Sequence, residues 1–168
     1  MRILTQNCWG VPLKKRRRRF DIIANTIKNR PYDIVCLQEV FLHRWYEQSF
    51  KGLSDYCHSY GKGIISLKGG FLMLTKQQPK QISFHRYEAQ GDLFSQQIAD
   101  RILGKGFLEI IIEDEETKED LAVINVHNVS VYRPHYRQKM HLLAQTEQLG
   151  LLARLEQRVA GEERSVAD

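Results

Sequence analysis

The chain has 168 residues, a net charge of +5, 42% hydrophobic residues and 27% charged residues. That length suits one domain with its own core, the composition excludes a disordered or fibrous chain, and no run approaches the roughly 20 apolar residues of a membrane-spanning helix. Its three widely spaced cysteines make neither a disulfide framework nor a zinc motif.

The chain opens on RILTQN at 2–7, which reads as a strand; the expectation is therefore no signal peptide and a reducing, cytoplasmic setting, with Cys36 and Cys8 as small buried apolar side chains. CWGVPLKK at 8–15 reads as a loop broken by Gly10 and Pro12. The block KKRRRR at 14–19, opening with Lys14 and closing with Arg19, puts six positive charges in one stretch. Such a block is ordinarily a solvated loop and first helical turn. Its functional reading is attraction to phosphate, either an anionic membrane surface or nucleic acid. No aromatic residue interleaves it before Phe20, which disfavours base stacking.

Phe20, Ile23, Ala24 and Ile27 fall on one helical face, and Asn29 and Pro31 end that helix. In YDIVCLQEV at 32–40 the apolar run Ile34, Val35, Cys36, Leu37 stops at Gln38 and Glu39. Strand, helix, strand at this spacing predicts a parallel unit with both strands buried. Ligands collect at the carboxyl ends of such strands, and Asn7 and Glu39 stand at those two ends. HRWYEQSF at 43–50 reads as a short helix, GGFLMLTK at 69–76 as a buried strand after a glycine turn, and QISFHRY at 81–87 as a half-exposed strand. An antiparallel hairpin follows, out over 107–112 and back over 121–126, around the acidic block EDEETKED at 113–120. Pro134 opens a helical segment over 135–158 whose apolar side is leucine.

Taken singly, Asn7 is a turn or capping residue, and His127, after AVIN at the end of a third buried strand, is a core or rim residue. Glu39 is harder to dismiss, because carboxylates are rarely buried without a partner. Together, an amide, a carboxylate and an imidazole, each just past an apolar strand, suit metal-assisted phosphoryl chemistry. Carboxylate and water oxygens suit magnesium, and an imidazole can donate to a phosphate oxygen or move a proton. No H-E-x-x-H, Walker, G-x-S-x-G or Rossmann pattern competes.

LTQNCWG, DIVCLQEV, GGFLMLTK, GKGFLEI and INVHN follow one another in this order. Together they resemble the endonuclease/exonuclease/phosphatase superfamily, metal-dependent phosphodiesterases with the fold of pancreatic deoxyribonuclease. NCWG, and Asp100 five residues before Lys105 and Gly106, resemble its neutral sphingomyelinase branch. The resemblance covers nearly the whole chain. It implies an α/β fold, half of a four-layer sandwich: a mixed sheet with helices on one face. The inner face is then bare where the family packs a second sheet, which favours association or aggregation there. By the same resemblance Glu39 binds Mg2+, Asn7 helps build the metal and phosphate site, and His127 lies beside the scissile phosphate. Asp100 and Lys105 control assembly of that site; the plain alternative is a surface ion pair worth at most about 1 kcal/mol. Trp9 is a wall of the substrate site or a half-buried loop aromatic.

The chain departs from the family pattern in two places. NVHNVSVY replaces the usual threonine-histidine-leucine, putting Val126 and Asn128 beside His127. The G-D-x-N and S-D-H stretches of the family's second half do not occur. The expectation is that residues 1–168 form the amino-terminal portion of one such domain, truncated and inactive alone. The implied function is Mg2+-dependent phosphodiester hydrolysis, of phospholipid in the sphingomyelinase manner, by a peripheral membrane protein. The alternatives are a nuclease or inositol/sugar phosphatase of the superfamily, or a non-catalytic chain acting as a binding module.

Overall fold

The computed structural model describes residues 1–10, 15–87, 104–115 and 117–128. The chain divides into two compact units, Met1–Arg86 with Gly106–His127, and Tyr87–Lys105 with Asn128–Asp168. The first unit contains, in chain order, β1 (Ile3–Asn7), α1 (Arg16–Lys28), β2 (Ile34–Gln38), α2 (His43–Ser49), β3 (Cys57–Ser59), β4 (Leu72–Thr75), β5 (Gln81–Arg86), β6 (Gly106–Glu113) and β7 (Asp120–His127).

These strands form two sheets, ordered β1-β2-β4-β3 and β5-β6-β7. β1 runs parallel to β2, with Asn7 opposite Gln38, and β4 runs antiparallel to β2. The first sheet is therefore mixed, as expected, and α1 is the crossover between its parallel pair. α1 begins inside the arginine block and buries Phe20, Ala24 and Ile27. These rest against α2 through ring contacts of Phe20 with Trp45 at 6.2 Å and Phe50 at 5.3 Å. β2 is buried along its whole length, but β1 is not, and Ile3 is 52% exposed. The expectation of two buried strands is corrected for β1: among the described residues it has β2 as its single strand neighbour, and it carries the polar residues Thr5, Gln6 and Asn7.

The inner face of the first sheet is covered. Ile34, Cys36, Phe71 and Met73 share one buried cluster with Leu108, Ile110 and Ile112 of β6, and Phe84, Leu121 and Val123 flank it. The bare face expected from the sequence is thus corrected: β5, β6 and β7 are themselves a second sheet. Alternation along β6 explains this. Leu108, Ile110 and Ile112 point one way, and such a stripe requires an apolar partner face. The opposite face of β2 and β4, with Val35, Leu37, Leu72 and Leu74, is fully buried too. Beneath the sheets' rim a polar bridge joins them. Gln38 Nε2 donates to Asn125 Oδ1 at 2.6 Å, and Asn125 Nδ2 donates to the Leu37 carbonyl at 3.1 Å.

At the other end of the sheet Asp33 accepts from the Arg2 N–H at 2.6 Å and from Lys76 Nζ at 3.0 Å. These bonds hold its carboxyl below the usual range, the Arg2 amide more than the lysine. In the second unit, the described residues include Tyr87, whose N–H donates to the Lys105 carbonyl at 3.1 Å and whose hydroxyl donates to Asn128 at 3.0 Å. Burial pushes that phenol up to about 12. The helix expected over 135–158 lies outside the described residues. No helix among the described residues is long and apolar enough to cross a membrane.

Removing the bridge tests its weight. Asn125 is 2% exposed, so Asn125→Ala takes from the buried Gln38 amide its shortest bond and leaves it only the longer ones to Thr5 Oγ1 at 3.2 Å and the Cys36 carbonyl at 3.3 Å. The expected loss is about 1–3 kcal/mol, read as a lower urea midpoint at unchanged slope; an unmoved midpoint would mean the bridge contributes nothing.

Candidate active site at the carboxyl ends of the strands

β2 ends at Gln38, and the chain turns sharply at Glu39, which holds a left-handed backbone at φ 65°. That conformation costs a non-glycine residue on the order of 1–3 kcal/mol and persists only where surrounding structure imposes it. Two glycines impose it here. A Cβ on Gly10 would lie 1.7 Å from the Glu39 carbonyl oxygen, and one on Gly70 would lie 3.2 Å from its Cα and 2.5 Å from the Phe41 ring. Each neighbouring loop therefore closes on Glu39 only because it carries no side chain at the point of contact. The Val40 N–H donates to the Gly70 carbonyl at 2.8 Å and fixes the turn from the far side.

The Glu39 carboxylate is held at both oxygens. Asn7 Nδ2 donates to Oε1 at 2.9 Å, and the Gly10 N–H donates to Oε2 at 3.1 Å. The other end of the Asn7 amide is also engaged. Its Oδ1 accepts the Trp9 N–H at 2.8 Å, closing an Asx turn at the end of β1. One end of the Asn7 amide thus makes the turn and the other binds the Glu39 carboxylate. His127 approaches from the second sheet, with Nε2 3.6 Å from Glu39 Oε1, and the two side chains are only 11% and 15% exposed. Its ring stands edge-on to Phe71, with centroids 6.2 Å apart and planes at 89°. Strand alternation accounts for its aim. Asn125 and His127 share one face of β7, and Asn125 already points into the first sheet.

Asn7, Glu39 and His127 thus converge, as their strand-end positions suggest. β7 itself is half-exposed along most of its length rather than buried; among the described residues it has β6 alone as a strand neighbour. Asp100 lies outside the described residues. Lys105 belongs to the second unit and is only 3% exposed, so it is not the exposed half of a surface ion pair. Trp9 is 55% exposed. Arg19 lies over its ring at 4.7 Å and donates to its carbonyl at 2.7 Å. Arg16 lies over Trp45 at 3.8 Å. Burial lowers the Arg16 pKa, and the charges of Arg44 and Arg19 lower it further. Burial pushes the Cys8 thiol up to about 12, with the Glu39 charge adding to it, and burial pushes Cys36 to about 11. Both are neutral packing residues.

Gly10 and the pair Gln38 and Asn125 were not among the sequence candidates. Gly10 was legible only as a loop breaker. The two amides were legible as polar residues inside apolar strands, a signal that a buried partner exists. His43, His58 and His85 lie on α2, β3 and β5. There His58 bonds Tyr46 and the Leu53 carbonyl, and His85 bonds Glu109.

Two facing sheets with a carboxylate, an amide and an imidazole gathered at one rim define an α/β sandwich with a polar site at its strand ends. The family model described as the Endonuclease/Exonuclease/phosphatase family matches residues 4–158, and the chain belongs to that family. A Drosophila melanogaster protein provisionally described as a neutral sphingomyelinase is 34% identical over 111 residues, 63% of this chain and 25% of that protein. Among solved structures, sphingomyelinase C from Streptomyces griseocarneus superposes with a TM-score of 0.71 at 16% identity, covering 93% of this chain and 58% of that one. A Staphylococcus aureus beta toxin mutant with bound magnesium ions gives a TM-score of 0.71 at 15% identity, covering 93% and 58%. At these identities the likeness is one of fold. The chain spans a quarter of the Drosophila relative and under three fifths of the two bacterial chains.

Gly10→Ala tests the close approach. The added methyl collides with backbone, so the expected loss is about 1–3 kcal/mol. Gly52→Ala, whose Cβ would meet nothing within 4 Å, is the control and should stay within about 0.5 kcal/mol of the parent. Equal midpoints for the two variants would show that Gly10 does not constrain Glu39.

Proposed function

We propose that the rim formed by Asn7, Glu39 and His127 serves hydrolysis of a phosphodiester, with choline-containing sphingolipid as the substrate class and the cytoplasmic surface of a membrane as the place of action. The observation that carries this reading is the Glu39 carboxylate. It is held by Asn7 and the Gly10 amide in a strained turn and faces an imidazole 3.6 Å away. Strain and convergent polar groups at one rim mark a site built for chemistry rather than for stability.

The donor set fits a divalent cation. Each Glu39 oxygen accepts one N–H and keeps lone pairs, and Asn7 Oδ1 accepts only the Trp9 amide among the bonds described. One carboxylate beside an amide oxygen suits magnesium, which keeps several of its waters. Held by Glu39, with Asn7 beside it, magnesium would supply Lewis-acid stabilisation of charge on a phosphate oxygen. The chain's own residues do the rest. Asn7 and Gly10 orient the carboxylate, and His127 donates from its ring to a phosphoryl oxygen. The arginines of the 14–19 block attract an anionic surface. By the resemblance, Asp100 and Lys105 govern assembly of the site, and the group that takes the proton from water belongs to G-D-x-N or S-D-H, neither of which these 168 residues contain. Turnover therefore requires residues beyond this set.

Magnesium titrated calorimetrically into the chain should bind at least about tenfold more weakly to Glu39→Gln than to the parent; equal binding would remove Glu39 as the ligand. The 168-residue chain alone should release no phosphocholine from sphingomyelin micelles with magnesium. Joined to the remaining length of a sphingomyelinase relative, it should turn over sphingomyelin faster than duplex DNA. Faster DNA cleavage would favour the nuclease alternative. Turnover by the chain alone that is lost in His127→Ala would show that it carries its own base.

A further inference from the structure

A second feature stands beside the rim. Ile64 is 100% exposed and its neighbour Ile65 73%. Their loop is tightly built. The Gly63 N–H donates to the Ser66 carbonyl at 2.9 Å, and the Lys68 N–H donates to the Gly61 carbonyl at 2.8 Å. Lys62 bridges Leu67, and Ser66 bridges Leu42. The His43 N–H donates to the Ile65 carbonyl at 3.2 Å, and the His43 ring lies 3.1 Å from the Gly63 carbonyl. The result is a miniature hairpin whose two tip positions are both isoleucine. Hairpin tips ask for Gly, Asn, Asp or Pro, and two adjacent β-branched apolar residues there oppose both the turn's preference and the cost of exposed apolar surface. A broken local rule with no local compensation points to function.

The hairpin's position and charge indicate what covers it. Its bonds to Leu42 and His43, and the bond from Val40 to Gly70, tie it to the segment that follows Glu39. The tip therefore belongs to the loops at the carboxyl end of β2. The exposed residues Lys62 and Lys68 sit on its stem, and Arg17 and Arg18, also exposed, lie in the first turn of α1. Two isoleucines are far too small a patch for a stable protein interface, which buries about 1,200 Å² or more. A bilayer accepts single apolar side chains flanked by lysines, whose stems bury while their ammonium groups stay with the phosphates.

We propose that the hairpin tipped by Ile64 and Ile65 is a membrane anchor: both side chains enter the acyl region of an anionic phospholipid surface, and Lys62 and Lys68 meet its headgroup phosphates. The anchor holds the Glu39 rim at the bilayer and in that respect rests on the lipid-hydrolase reading, but its test measures binding without turnover.

The chain is sedimented with vesicles of phosphatidylcholine, with and without phosphatidylserine. The parent should bind the serine-lipid vesicles. The double variant Ile64→Ser, Ile65→Ser should bind at least about tenfold more weakly at an unchanged thermal midpoint. Lys62→Ser with Lys68→Ser should remove most of the preference for phosphatidylserine. Ile64→Trp should bind and shift its emission to the blue on vesicles, a readout independent of the double variant's folding. Absence of binding by the parent, equal binding by the isoleucine double variant, or no emission shift in Ile64→Trp would each overturn the anchor. Tip-dependent binding by a joined enzyme that hydrolyses no phospholipid would leave the anchor standing and overturn the hydrolase reading.

Discussion

Glu39 must turn left-handed because Gly10 and Gly70 close on it from two directions, and the arrangement of the rim depends on that turn. With φ at 65° the carboxylate lies where Asn7 and the Gly10 amide reach it. The strain of that backbone is offset by bonds to both carboxylate oxygens and by the Val40 amide's bond to Gly70. The same geometry sets the orientation of the first loop, since Asn7 uses its other amide atom to hold the Trp9 backbone.

The second sheet supplies the imidazole, and it does so through a buried amide pair. Gln38 ends the apolar strand β2, and Asn125 interrupts the apolar run of β7 between Leu121 and Val126. Inside a low-dielectric core an unpaired amide would be costly, so each strand's polar residue specifies the other's position. Once Asn125 points at Gln38, the period of two along β7 directs His127 to the same face, two residues nearer the rim. Phe71, just before β4, stands edge-on to the imidazole. The register of one hairpin is in this way coupled to the geometry of the site, and a slip of one residue would remove the bridge and the imidazole together.

Around this core the charge is arranged by the fold rather than by local sequence. The arginine block contains no aromatic residue, yet two of its members meet tryptophans brought from elsewhere, Arg16 over Trp45 and Arg19 over Trp9. These arginines are thereby committed to internal contacts, while Arg17 and Arg18 remain exposed. Charges that read as equivalent in the sequence are thus divided in the folded chain, Arg16 and Arg19 structural, Arg17 and Arg18 available to solvent or to an anionic surface.

Periodicity and strand ends were enough to determine much of this protein. The helix from its 3.6-residue spacing, the parallel pair β1 and β2, the hairpin of β6 and β7, the burial of Cys8 and Cys36, and Asn7, Glu39 and His127 as strand-end residues were all legible, because each rests on local pattern. The ordered motifs carried the family. Only tertiary structure decided which faces meet. An alternating strand announces an apolar stripe but not its partner, so the second sheet over Ile34, Cys36, Phe71 and Met73 could not be read from the hairpin itself. Nor could the exposure of β1, which follows from its place at the end of the sheet among the described residues as well as from its polar residues. The contact of Gly10 with Glu39 joins residues 29 positions apart, and the bridge of Gln38 to Asn125 joins residues 87 apart. Such pairings are settled by the packing of whole elements, which no local window of sequence contains.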